Sequence, residues 1–337
     1  MILRLLTMKT AQIDHFLEQL TRSQREYCLL KLKSAASLIR VVTTCPCCQH
    51  TNFIKEGTYK GLQKYQCKTT GKIFSAKTQT VFSGLYQLDK FQLLLELMAG
   101  RKLPTITEIQ AQLQISRQTA FDWRTKVLTA LYHEVNFNQQ LVEFDETNFM
   151  LSRKGRKGLA RSRERGKKLV GDNPYNVKVF MTYSRTTQKL ELFTSHMGRT
   201  KTQDVANYLD SKSEIVVYSD RHRSYQRYFR ERQVLNRVFR SGDHVSLTDR
   251  RVHNQTLNAY SRGLHNFLNE DLKGVSTKYL QGYLNWFMLR GNSMKLVDLV
   301  GANKVALAIF KQKEKEFNYF LQHNGRTNYG HCRDRYA

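Results

Sequence analysis

Beyond residue 141 the apolar pattern of this chain changes its period, and that change restricts the possible architecture more than any other feature. Three strand-like runs follow one another, Leu141–Met150, Tyr175–Tyr183 and Lys189–Thr194. Helix-like segments, Lys201–Leu209 and Tyr225–Glu231, then alternate with the strand-like Glu214–Ser219 and Leu235–Phe239. Successive strands with short links pair antiparallel, whereas a helix between two strands serves as a crossover. An α/β fold is expected, a mixed sheet with flanking helices.

Polar residues stand at exact places in that pattern. Asp145 interrupts the apolar run Leu141-Val-Glu-Phe-Asp-Glu-Thr-Asn-Phe-Met150, where an uncompensated charge is costly and needs a cation or hydrogen bonds. Asp220 ends Ile215-Val-Val-Tyr-Ser-Asp220. Either aspartate alone reads as a turn or cap residue. They become neighbours only if their strands pair side by side, which this order permits. Asn258 lies on a helix-like stretch from about His253 to Leu272, with Asn254, Arg262 and His265 on the same face and Glu270 well round it. Three oxygen-bearing side chains so placed suit divalent metal held over a phosphodiester.

Charge narrows the partner. The chain has 337 residues, with 55 Lys+Arg against 28 Asp+Glu and a formal charge of +27. Such an excess attracts a polyanion, and nucleic acid comes first. A ribosomal or membrane-surface protein would share the charge but has no need of placed carboxylates. The run from Arg153 to Lys168 is dense in cations and hinged by glycines; Lys154, Arg156, Lys157, Arg161, Arg163, Arg165, Lys167 and Lys168 are expected to grip phosphates. No apolar run approaches the roughly 20 residues of a membrane span. Met1–Thr7 is too short for a signal-peptide core, so a cytoplasmic protein is expected.

Upstream, the spacing of Phe16, Leu17, Leu20, Tyr27, Leu30 and Leu32 suits one or two helices between Ile13 and Ile39. Four of the six cysteines, Cys45, Cys47, Cys48 and Cys67, then cluster, while Cys28 and Cys332 stand apart and disulfides are not expected. The cluster resembles a zinc ribbon, in which two Cys-x-x-Cys knuckles hold a tetrahedral ion. Cys45 and Cys48 make one knuckle. Cys67 begins the other, but Thr70 stands where its second thiolate belongs. Two readings stay open: zinc held by Cys45, Cys48 and Cys67, with Cys47 or His50 as a fourth ligand, or a metal-free ribbon packed around Phe53, Tyr65 and Phe74.

Between Tyr86 and His133 three helices are expected, with a tight turn at Gln114-Ile-Ser116 after a Thr-x-x-Glu cap at Thr105. That is helix-turn-helix spacing. Ile109, Leu113, Ile115, Ala120 and Trp123 would form its core, leaving Arg117, Gln118, Arg124 and Lys126 to face a DNA groove. A plain helical linker fits the same pattern.

The motif order is more specific than any of its parts. A cysteine knuckle and a helix-turn-helix precede Phe144-Asp-Glu-Thr147, Ser152-Arg-Lys-Gly155, the basic loop, Tyr218-Ser-Asp220, His253-Asn-Gln-Thr-Leu-Asn258 and Gly274-Val-Ser-Thr-Lys-Tyr-Leu280. Over roughly Thr43 to Asn292 the chain resembles insertion-sequence transposases of the ISXO-like group. The resemblance implies a ribonuclease-H-like catalytic domain whose Asp, Asp and Asn-or-Glu triad falls on Asp145, Asp220 and Asn258. It further implies two Mg2+ or Mn2+ ions about 4 Å apart bridged by Asp145, which nick element ends and join them to target DNA. That group carries a lysine seven residues beyond the third ligand, and His265 stands there in this chain, either as a catalytic-site contact to a phosphate near the cut or as an ordinary, partly exposed helix histidine.

The expected organisation is a helical segment at 1–40, a zinc-ribbon-like module at 41–84, a helix-turn-helix domain at 85–135, a catalytic domain at 140–300 and a basic tail at 301–337. Double-stranded DNA is the expected partner and a homo-oligomer the expected assembly, because an element has two ends. The alternatives are a DNA-binding regulator with a degenerate nuclease domain, and a ribonuclease-H-type enzyme acting on RNA–DNA hybrids.

Overall fold

The computed structural model describes residues 42–292 apart from 60, 61, 101, 132–134, 161–172, 241 and 244. The helices expected between Ile13 and Ile39, the tail at 301–337, Cys28, Cys332, Arg161, Arg163, Arg165, Lys167 and Lys168 lie outside the described residues. The described chain forms two compact units, 42–131 and 135–292.

The first unit opens with an antiparallel sheet of Phe53–Tyr59 (β1), Leu62–Cys67 (β2) and Ile73–Ser75 (β3). Phe53, Tyr65 and Phe74 pack ring to ring at 5.3–5.6 Å against the buried Cys45 and Cys67. Both knuckles have the same backbone turn. Gln49 N donates to Cys45 O at 2.8 Å and Gly71 N to Cys67 O at 2.8 Å, and each donor residue is left-handed, at φ 62° and 67°. The second knuckle therefore has the shape of the first although Thr70 stands where a second thiolate would be.

Helices Leu88–Met98 (α1), Ile106–Leu113 (α2) and Arg117–Ala130 (α3) complete the unit. Thr105 and Glu108 form a reciprocal capping box that starts α2. Left-handed Gln114 ends that helix, and Ser116 caps α3 through Thr119 N at 3.1 Å. Ile109, Leu113 and Ala120 are buried, and Trp123 packs edge-on against Phe91 with ring centroids 5.4 Å apart.

In the second unit, Leu141–Met150 (β4), Asn176–Ser184 (β5), Leu190–Met197 (β6), Val216–Asp220 (β7) and Leu235–Phe239 (β8) form one sheet in the order β6-β5-β4-β7-β8. The first three strands are antiparallel, and β4, β7 and β8 run parallel. Thr202–Leu209 (α4) and Arg223–Glu231 (α5) cross between the parallel strands. This is the ribonuclease-H-like mixed sheet, with β4 at its centre.

Alternation along β4 assigns the two faces of the sheet. Phe144 meets Phe180, Tyr208 and Tyr225 in the core under α4 and α5. The odd-numbered side chains face Gln255–Asn266 (α6), which continues through a π-helical turn, Phe267–Asp271. Leu280–Gly291 (α7) covers the edge at β6, where an open row of backbone groups would invite strand addition. Side chains close that row instead: Asn292 Oδ1 accepts from Leu190 N at 2.7 Å, Met288 Sδ from Leu192 N at 2.9 Å and Gln281 Oε1 from Thr194 N at 2.7 Å. The aromatic residues Tyr283 and Trp286 of α7 are buried in the core.

Candidate active site

The parallel pairing of β4 with β7 matches Glu143 to Tyr218. Asp145 and Asp220 each lie two residues further on, so their side chains share a face at the adjoining ends of neighbouring strands. The two carboxylates feel each other. Burial, and then repulsion from Asp220, push the Asp145 carboxyl up to about 7. Asp145 Oδ1 accepts from the Glu146 amide at 2.8 Å, and Asp220 Oδ1 accepts from the His222 amide at 3.0 Å.

Across from this pair stands the start of α6. Asn254 is buried and donates Nδ2 to Asp145 Oδ2 at 2.5 Å, while its Oδ1 accepts from Asn258 Nδ2 at 3.1 Å. Asn258 is exposed and reaches Asp145 through Asn254. A residue at the N-cap position ordinarily spends its side chain on the first free amides of its helix. Asn254 makes no such bond; its Oδ1, the atom that would cap, accepts from Asn258 instead.

Glu143 takes over that task from the neighbouring strand. It is fully buried, and Oε2 accepts from Leu257 N at 3.2 Å while Oε1 accepts from Thr256 Oγ1 at 3.0 Å. Arg185 balances the charge, its Nε donating to Oε1 at 2.7 Å. One turn further along α6, Thr147 Oγ1 accepts from Ser261 Oγ at 2.9 Å. Contacts from Glu143, Asp145 and Thr147 thus fix α6 along β4.

His265 belongs to the same row. Its Nε2 is 2.9 Å from Thr147 Oγ1, its ring stacks on Phe149 at 4.5 Å, and burial lowers its pKa. The ring is a packing element of β4 and α6. The other face of the strand holds a separate polar cluster, in which Lys178 Nζ donates to Glu146 Oε1 at 2.6 Å and Thr200 and Tyr225 donate to Oε2.

The residues expected to meet DNA divide into two groups. Arg117 and Gln118 are exposed on the first turn of α3, and Arg156 and Lys157 are exposed after β4. Arg124 instead turns inward, 8% exposed, and donates to the Pro104 carbonyl at 2.9 Å. It lies one turn from both Ala120 and Val127, on the buried face of α3, so it cannot point into a groove. Lys126 donates to the Ser83 carbonyl. Lys154 Nζ is bound by the carbonyls of Gly274 at 2.7 Å and Lys273 at 3.2 Å, which makes it a brace for the turn after α6.

In the ribbon, the sulfurs of Cys45, Cys48 and Cys67 lie within 4.8 Å of one another, a spacing that one metal ion can span. Cys47 and His50 are outside that group. Hydrogen bonding, first from the Thr70 hydroxyl, lowers Cys67 to about 6.

Sequence reasoning overlooked Glu143, and it placed Asn254 on the Asn258 face without a contact to Asp145. A signal for each was present: Glu143 shares the Asp145 face of an apolar strand, and Asn254 precedes Asn258 by one helical turn.

Residues 138–292 match the family model described as the ISXO2-like transposase domain. An uncharacterized protein in transposable element ISH50 of Halobacterium salinarum is 26% identical over 250 residues, covering 73% of this chain and 84% of the relative. Among solved structures, the Mos1 strand transfer complex aligns with a TM-score of 0.20 at 13% identity, covering 88% of this chain and 93% of that one. A Mos1 transposase paired-end complex with the left transposon end aligns at 0.22 and 12%, covering 88% and 94%. Among the described residues no helix is long and apolar enough to cross a membrane. Residues 138–292 thus carry the match to the ISXO2-like transposase domain, and that match supports a DNA transposase.

Proposed function

We propose that this transposase binds the ends of an insertion sequence, cleaves them and joins the freed 3′ ends to target DNA, using Asp145, Asp220 and Asn258 as a metal-binding triad of the Asp-Asp-Asn type. The observation that carries this reading is the meeting of Asp145 and Asp220 on adjoining parallel strands, where repulsion from Asp220 helps raise Asp145. Two carboxylates and a carboxamide form an all-oxygen donor set, which suits Mg2+ or Mn2+. Asn258 gives its Nδ2 to Asn254 and so keeps Oδ1 for a ligand. When bound, the divalent ions activate water or a 3′ hydroxyl and stabilise the leaving oxygen.

The chain's own groups do the positioning. Glu143 holds the first turn of α6, and Asn254 fixes Asp145 Oδ2 relative to Asn258. Arg117, Gln118, Arg156 and Lys157 are exposed for contact with the DNA backbone, and two or more copies of the chain bring the two ends together. In the ribbon, zinc takes the three thiolates of Cys45, Cys48 and Cys67, leaving one position without a thiolate.

The test is nicking and joining of labelled element-end duplex by the purified protein in Mg2+ or Mn2+. Asp145→Ala should abolish both reactions and leave DNA binding in place. Undiminished activity in that variant would remove the catalytic assignment. Binding without cleavage by the unaltered protein would favour the regulator, and preference for an RNA–DNA hybrid would favour the ribonuclease.

A further inference from the structure

Helix α5 presents a line of arginines that the site described above does not use. Tyr225, Tyr228 and Phe229 are buried on its inner face, and Tyr225 and Tyr228 are anchored by hydrogen bonds to Glu146 at 3.2 Å and Asp210 at 3.1 Å. The outer face is left with Arg223, Arg227 and Arg230, all exposed. Their spacing of four and then three residues places them in one row along the helix.

Arg221 and Arg232, also exposed, flank the helix two residues before and two residues after the row. Arg227 is paired with Glu231 and Arg232 with Asp210, whereas among the described residues Arg221, Arg223 and Arg230 form no ion pair. Beside the row, Lys201, Arg227 and Arg232 line a groove of about 530 Å³ between α4 and α5. Like charges one turn apart repel, and nothing on this face offsets them all. A strand of phosphates would, and guanidinium groups bind phosphate oxygens in pairs.

The position of the row bears on which DNA it would meet. Helix α6 lies against the odd-numbered side chains of β4, while α5 packs against Phe144 and Glu146 on the other face. The two helices approach the aspartate pair from opposite sides of the sheet. A duplex along α5 reaches Asp220 by a different route from one held beside α6 and the loop bearing Arg156 and Lys157. Joining an element end to a target requires two duplexes at one centre. We propose that the Arg223–Arg227–Arg230 row is the docking surface for target DNA, an inference that rests on the cleavage-and-joining reading above.

The experiment compares the full-length protein with the triple variant R223Q/R227Q/R230Q and with R223K/R227K/R230K. Binding of a duplex of unrelated sequence is followed by fluorescence anisotropy over a salt series. Three lost phosphate contacts should flatten the log–log salt dependence by about 2 to 3, and the lysine variant should restore most of it. Thermal unfolding of both variants controls for folding. A second arm supplies element ends and target together, and joining should fall at least tenfold more than end nicking in the glutamine variant.

An unchanged salt dependence overturns the surface. Equal loss of nicking and joining assigns the row to the element end and overturns the target assignment. Because the binding arm involves no chemistry, a protein that binds through the row yet cleaves nothing would refute the proposed reaction and leave the DNA surface standing.

Discussion

Glu143 on β4 accepts the backbone amide of Leu257 on α6 at 3.2 Å, so the strand that carries Asp145 also caps the helix that carries Asn258. The arrangement follows from competition for one side chain. Asn254 sits at the N-cap of α6, but its Oδ1 accepts from Asn258 while its Nδ2 donates to Asp145. A carboxylate two residues away on the same strand face compensates, and it interacts favourably with the positive end of the helix.

Glu143 is fully buried, and Arg185 is its cationic partner at 2.7 Å. Removing one member of such a pair leaves an uncompensated charge and costs about 3–5 kcal/mol. Glu143→Ala should therefore lower stability by that order in denaturant unfolding. Glu143→Gln keeps an acceptor for Leu257 N and should retain more nicking activity than the alanine variant at a temperature where both are folded. Equal activity of the two variants would show that the cap does not position α6.

Asp145 makes the metal-free protein sensitive to pH in an unusual direction. Its folded pKa, raised to about 7, lies above its ordinary value of 3.8, so between these values the folded state holds the extra proton. Stability from this group is fully present at low pH, declines as pH rises through that window and is lowest above about 7. Denaturant midpoints in EDTA should fall between pH 5 and pH 8, and Asp145→Asn should flatten the slope. A slope that survives in the asparagine variant would place its origin elsewhere.

Strand and helix order was legible because apolar period and turn residues act locally, and Thr105, Glu108 and Ser116 form the caps their spacing predicts. Pairing of β4 with β7 was legible only as a possibility, since register depends on contacts distant in sequence. The interior course of Arg124 was within reach of the same periodicity, for the residue stands in line with Ala120 and Val127. Reading its charge before its position hid this. Lys154 is different in kind: its three carbonyl partners come from the turn after α6, more than a hundred residues away, and no local pattern announces them.

Asn258 contributes a neutral oxygen where a carboxylate would add charge, and cation affinity rises with the number of charged ligands. Asn258→Asp should tighten Mn2+ binding to the DNA-free protein by about tenfold or more in calorimetric titration. The change should shrink when duplex is present, because phosphates then supply negative charge. Affinity unaltered by the substitution would mean that this side chain does not contact the metal.

The ribbon offers a test by completion. The turns at Cys45–Gln49 and Cys67–Gly71 have the same hydrogen bond, and Thr70 occupies in the second the place that Cys48 occupies in the first. Its hydroxyl now lowers Cys67 to about 6, an interaction that a thiol would replace with a fourth ligand. Because the backbone already has the required shape, Thr70→Cys should need no rearrangement and should raise zinc affinity at least about tenfold in competition with a chromophoric chelator. Cobalt substitution should show the stronger visible bands of a four-thiolate tetrahedral centre. Zinc binding no tighter than in the unaltered protein would mean that the three sulfurs are held by packing around Phe53, Tyr65 and Phe74 and do not form a metal centre.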